Sequence, residues 1–178
     1  MIVRVLALLL LLLLPGAAWA QGPRAHEPEQ SRPWAVYFSP DDGAQAVVEA
    51  LGRARKSVRV QTLAMRSPQI TRALVDAHQR GVTVEVILVG RPAKGRPPAG
   101  PLAQAGIAVL IDKVHASAGS SVMVIDRQVV LTGSFGFAPV ADRPGAEDLL
   151  VISDPTLAAR YGENWQAHAA HSVRSSVQ

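Results

Sequence analysis

The chain contains no cysteine, and its 178 residues include only three Trp, two Tyr and three Phe. Without thiols there is no disulfide framework, no cysteine ligand set and no lipid anchor on a cysteine at a cleavage site, so the fold must stand on its core. The scarcity of aromatics excludes the aromatic-interleaved basic stripe that single-stranded nucleic acid prefers. Excess charge is also small. Lys and Arg total 18 against 14 Asp and Glu, a formal charge of +4. That would help an anionic partner approach, but solubility alone accounts for it. There is no phosphate-binding P-loop, no dinucleotide glycine fingerprint, no HExxH pair and no internal repeat. The one long apolar run, residues 5–14, is stopped by Pro15, well short of the roughly 20 residues a membrane span needs.

That run has a different reading. Arg4 supplies a positive start, residues 5–14 an apolar centre, and Ala18-Trp19-Ala20 a small-x-small cleavage signal. Together they predict a secretory signal peptide over residues 1–20, cut after Ala20, and hence a periplasmic or secreted protein. Residues 21–33 are polar and proline-rich, the composition of a flexible linker. Residues 34–172 have the length of one domain, and 173–178 read as a frayed tail.

Within that domain, apolar periodicity predicts alternating strands and helices. Residues 34–38, 57–64, 82–89 and 107–112 read as strands, the third almost continuously apolar, as in a sheet covered on both faces. Helices are predicted over 43–55 and from Ser67-Pro68, an N-cap followed by proline, to a C-cap at Gly81. A helical turn is expected at 102–105. Two strands separated by Arg127-Gln128 read as a hairpin, residues 147–153 as the last strand, and 155–171 as a closing helix behind Asp154. Leu157, Tyr161 and Trp165 are its expected buried stripe. His168 and His171 fall on its final turns, where the helix dipole favours a cation, and that alone accounts for them. His78 is expected to be an exposed or half-buried helix residue. The pattern predicts an α/β fold, a mixed, mostly parallel sheet flanked by helices in a single domain.

The hairpin is the most informative stretch. From His115 to Phe137 the chain reads HASAGSSVMVIDRQVVLTGSFGF, with Gly and Ser clusters at both ends and Asp126 between the strands. Small residues at strand ends let a ligand or a second backbone come close. The sequence order of YFSPDDGAQAVVEAL, VMVID, LTGSF, AEDLLVI and DPTLAARYGENW resembles the phospholipase D (HKD) superfamily, in particular its small single-motif, endonuclease-like members. The family motif is His-x-Lys, four residues, Asp, six residues, Gly-Ser-x-Asn. The resemblance implies a neutral His attacking phosphorus, a second His from a paired motif protonating the leaving oxygen, and Lys, Ser and Asn holding the phosphate oxygens.

Carried onto this chain, Asp126 and Gly133-Ser134 fit the spacing without a gap, and Glu147 matches the acid that supports the catalytic His. The His position falls on Gly119, the Lys position on Ser121 and the Asn position on Gly136. Ser134, with Ser121 beside it, is left as the phosphate-binding set; Asp126 and Glu147 are retained. His115 lies eleven residues before Asp126 where the nucleophile should be seven before, and matches an accessory upstream His. It is the one histidine available as a substitute nucleophile. The resemblance therefore implies an exported phosphodiesterase-like protein, catalytically impaired or silent, that binds a phosphodiester (lipid or nucleic acid) or a paralogue. An active phospholipase D or endonuclease working through His115, and a purely structural protein, are the alternatives. A homodimer is expected, because single-motif relatives pair two motifs. No metal and no cofactor are expected.

Overall fold

The computed structural model describes residues 32–38, 43–90, 100–138 and 145–175. The expected leader, most of the linker and the last three tail residues lie outside them. Among the described residues no helix is long and apolar enough to cross a membrane.

The elements run β1 (Trp34–Phe38), α1 (Gly43–Arg53), β2 (Ser57–Thr62), α2 (Pro68–Gln79), β3 (Thr83–Val89), α3 (Gly100–Gln104), β4 (Ala108–Asp112), β5 (Ser121–Ile125), β6 (Val129–Gly133), β7 (Asp148–Ser153), α4 (Pro155–His171) and β8 (Val173–Arg174). The strands form one sheet in the order β1-β7-β6-β5-β2-β3-β4-β8. The sheet is mixed, as expected, but it is not mostly parallel. Parallel pairing is confined to β2-β3 and β3-β4, where helices make the crossovers. The hairpin, the return of β7 along β6, and the pairings β1-β7, β2-β5 and β4-β8 are all antiparallel.

Strand alternation explains how both faces are covered. On β5, Met123 and Ile125 join the large core beneath α1 and α2, with Val58, Val60, Leu51 and Leu74. The intervening Val122 and Val124 pack on the other face with Val130 and Ala158 of α4. A third cluster, Ile87, Val89 and Trp165, continues that face. Trp165 anchors α4: its Nε1–H donates to the Val60 carbonyl at 2.9 Å, and the Arg59 guanidinium lies 5.0 Å from its ring centroid. Of the expected stripe, Trp165 is buried, while Leu157 and Tyr161 are only partly so.

Helix starts follow their caps. Ser67 Oγ accepts from Ile70 N with Pro68 at the first turn, and Asp154 Oδ1 accepts from the N–H groups of Thr156 and Leu157, satisfying donors that a helix start leaves open. Two residues read as frayed tail are ordered instead: Val173–Arg174 pair with Leu110 and Ile111, and Ser175 N donates to Val109 O at 2.8 Å. A two-residue strand has no periodicity to reveal it; the unpaired edge of β4 creates it.

Topology decides where chemistry can sit. β2, β3 and β4 run in one direction and β5 in the other, so the ends at Thr62, Val89 and Asp112 share one rim of the sheet with the start of β5. Ser121 pairs with Gly133 across the hairpin, which brings the end of β6 and the start of β7 to the same rim.

Candidate functional site

On that rim the end of β2, the start of β5 and the segment after β6 enclose a cleft of about 200 Å³, lined by Leu63, Arg66, Gly119, Ser121, Ser134 and Gly136 among others. Close backbone approach shapes it. A Cβ on Gly133, whose φ is 152°, would collide with the Asp148 carbonyl, so β6 and β7 can meet this closely only through glycine. Phe135 and Phe137 turn inward, are 3 % and 0 % exposed, and meet edge-on at 6.0 Å. The Phe137 carbonyl accepts from the N–H groups of Arg66 and Ser67, which ties the Gly-Ser-Phe-Gly turn to the Arg66 segment across the cleft.

The polar groups in the cleft are few. Ser121 is 4 % exposed, and its Oγ shares a 2.8 Å hydrogen bond with Thr62 Oγ1. Ser134 Oγ donates to Asp148 Oδ1 at 2.8 Å and accepts from Asp148 N at 3.0 Å. Asp148 thus both donates to and accepts from Ser134; Glu147 is half-buried at the entry to β7. Arg66 is exposed and contributes a cation to the lining. Gly119, at the expected nucleophile position, has nothing within 4 Å of where a Cβ would stand.

Two expected site residues lie elsewhere. Asp126 closes the hairpin turn at the opposite rim, five residues along β5 from Ser121, roughly 16 Å at strand rise. Its carboxylate accepts from the backbone N–H groups of Arg55 (2.9 Å), Lys56 (2.7 Å) and Ser57 (2.9 Å). Burial opposes its charge, but those three N–H groups and the Lys56 ammonium outweigh burial and hold its carboxyl below the ordinary value. Asp126 is thus a brace between the hairpin turn and the α1–β2 loop, not a group facing the cleft.

His115 is the second. It leaves the hairpin and joins a cluster at the end of β4. Asp112 has a fully buried side chain. Its Oδ1 accepts from the N–H groups of Val114 (2.9 Å) and His115 (3.2 Å). Its Oδ2 meets three imidazoles: His115 Nδ1 at 2.8 Å, His168 Nδ1 at 2.8 Å and His171 Nε2 at 3.2 Å. Burial again works against the charge, and the hydrogen bonds from His168, His115 and His171 outweigh it, so the Asp112 carboxyl titrates well below the usual range. Sequence reading assigned His168 and His171 to the helix dipole and passed over Asp112. The available signal was the paired spacing, Asp112-x-x-His115 and His168-x-x-His171, but only the docking of α4 brings the two halves together.

Residues 47–168 match the family described as "Cardiolipin synthase, PLD-like domain". The chain belongs to the phospholipase D-like family. Among curated members of that family, a phospholipase D of Rickettsia bellii is 36 % identical over 137 residues, covering 76 % of this chain and 68 % of the relative. A mitochondrial cardiolipin hydrolase of Xenopus tropicalis is 29 % identical over 127 residues, covering 71 % and 60 %. Among solved structures, the phospholipase D family member Nuc from Salmonella typhimurium superposes with a TM-score of 0.74 at 29 % identity, covering 81 % of this chain and 98 % of Nuc. NucT from Helicobacter pylori shares the fold at 0.69 and 17 % identity. A phospholipase D-like, phosphodiesterase-type scaffold is what these matches share.

Proposed function

We propose that this phospholipase D-like protein holds a phosphodiester in the rim cleft without cleaving it. The observation that carries the reading is the state of the motif positions. Gly119 offers no nucleophile, Ser121 offers no charge and its hydroxyl is engaged by Thr62, and among the described lining residues Arg66 is the cation that can meet a phosphate. Loss of a nucleophile costs several orders of magnitude, and an absent phosphate clamp costs about 10²–10³ more in comparable sites. Lipid and nucleic-acid phosphodiesters are both compatible with the cleft. The unpaired single motif supports a homodimer, and the leader-like start of the sequence supports a place outside the cytoplasm.

The test is direct. Purified protein is expected to leave bis(p-nitrophenyl) phosphate, plasmid DNA and phosphatidylcholine intact. It is expected to bind a short oligonucleotide or vesicles containing an anionic phospholipid, with binding weakened at least about tenfold by Arg66→Ala, since charged contacts are each worth about 1.5–3 kcal/mol.

A second reading is favoured by one observation. His115 Nδ1 rests on a buried carboxylate while its side chain is 47 % exposed, as an oriented nucleophile or base would be. Against it, His115 is not among the residues lining the cleft. Phosphodiester turnover that His115→Ala abolishes would establish this reading and overturn the silent one.

A further inference from the structure

We propose that Asp112, His115, His168 and His171 form a binding site for one transition-metal ion, Zn²⁺ in the first instance. The ligand atoms of all four residues lie within 4.8 Å of one another. A tetrahedral zinc ion with bonds of about 2.0–2.2 Å holds its ligands a little over 3 Å apart, so small side-chain rotations close the set. Three imidazoles and one carboxylate suit zinc, and four protein donors complete its tetrahedron.

Three features argue for an ion rather than a hydrogen-bonded tie. First, a single oxygen, Asp112 Oδ2, faces three ring nitrogens. A carboxylate oxygen has about two lone-pair sites, so three N–H donors overfill it. An ion lets each ring nitrogen present its own lone pair to a common centre instead. Second, the carboxylate is already oriented. Oδ1 is held by two backbone N–H groups, the outer support that metal ligands characteristically have, and this leaves Oδ2 directed at the rings. Third, there is a way in. The Asp112 side chain is fully buried, while those of His115 and His171 are 47 % and 36 % exposed, so the cluster is closed toward the sheet and open toward solvent. The ring centroids, 4.8–5.4 Å apart and tilted by 47–63°, surround the carboxylate rather than stack.

The ion would join three parts of the fold: the end of β4, the 113–120 loop and the end of α4. It would act as a closed site stabilising the rim, and the loop it fixes is the one that continues to Gly119 and Ser121.

The experiment uses the full domain without a polyhistidine tag, stripped with chelator and titrated with Zn²⁺ alone against a competing chromophoric chelator. The expected result is one ion per chain with an apparent dissociation constant in the micromolar range or tighter. Substituted Co²⁺ should show the visible absorption of a tetrahedral nitrogen–oxygen site. His168→Ala should weaken binding by at least about 100-fold, the upper end of what losing even an outer-shell partner costs. His171→Ala, at the more exposed end of the helix, should weaken binding in a protein whose circular dichroism is unchanged, so misfolding is separated from ligand loss. Binding no tighter than about 0.1 mM, a stoichiometry that both variants leave intact, or an octahedral Co²⁺ spectrum would overturn the proposal.

Discussion

The brace at Asp126 yields the sharpest energetic prediction, because the family motif places this residue and the geometry removes it from the cleft. Consider Asp126→Asn. Asn tolerates the left-handed backbone found here, φ 54°, so the substitution changes the side chain with little added backbone strain. The amide oxygen can still accept from Lys56 and Ser57, but the amide NH₂ then faces the Arg55 N–H, donor against donor. One hydrogen bond to a charged acceptor is lost, worth about 1.5–3 kcal/mol, and two are reduced to neutral strength. Allowing for partial exposure, the net cost is about 2 kcal/mol. For a domain of this size that lowers Tm by about 4–8 °C. The pH dependence has a definite sign. The folded carboxyl titrates below its unfolded value of about 3.9, so its contribution is complete above that value and is lost as pH falls through the folded one. The Tm gap between parent and variant, followed by calorimetry from pH 8 downward, should stay level to about pH 5 and close in more acid solution. A gap under about 1 °C at pH 7, or one that widens toward acid, would refute the brace. So would a fall in phosphodiester binding with no fall in Tm.

Two further outcomes follow from the packing and the cleft. Trp165→Phe keeps an aromatic ring in the α4 contact but deletes the bond to the Val60 carbonyl; it should cost at least about 1–2 kcal/mol, read as a lower urea midpoint with an unchanged m-value. The triple change Gly119→His, Ser121→Lys, Gly136→Asn refills the three substituted motif positions, and the open space at Gly119 admits the imidazole. Bis(p-nitrophenyl) phosphate hydrolysis absent from the parent should appear, and a folded triple variant that stays inert would show that more than side chains has been lost.

The sequence was most legible where an element's own residues dictate it. Asp154, Ser67 and Pro68 cap their helices as read, and the apolar run of β3 is buried on both faces because helices cover both. The motif spacing from Asp126 to Ser134 was correct as spacing, yet it could not say that the two ends of a five-residue strand stand on opposite rims. Strand direction was misjudged because the five antiparallel pairings, β5-β6, β6-β7, β1-β7, β2-β5 and β4-β8, outnumber the two parallel ones made by helical crossovers. The two halves of the histidine cluster could not be joined from sequence for a different reason: His168 lies 56 residues from Asp112, and only the anchoring of α4 by Trp165 carries it there.

The short strand β8 has a consequence for the order in which the molecule is made. An open β4 edge is a template for pairing with another chain, and the residues that cover it, Val173–Arg174 with Ser175, follow every other strand of the sheet in sequence. Until they emerge, every other strand can be in place while the sheet still offers one adhesive border. A chain truncated after His171 would keep its cleft, its core and all four histidine-cluster residues, and would differ from the parent chiefly in remaining sticky. Such a chain should form concentration-dependent aggregates.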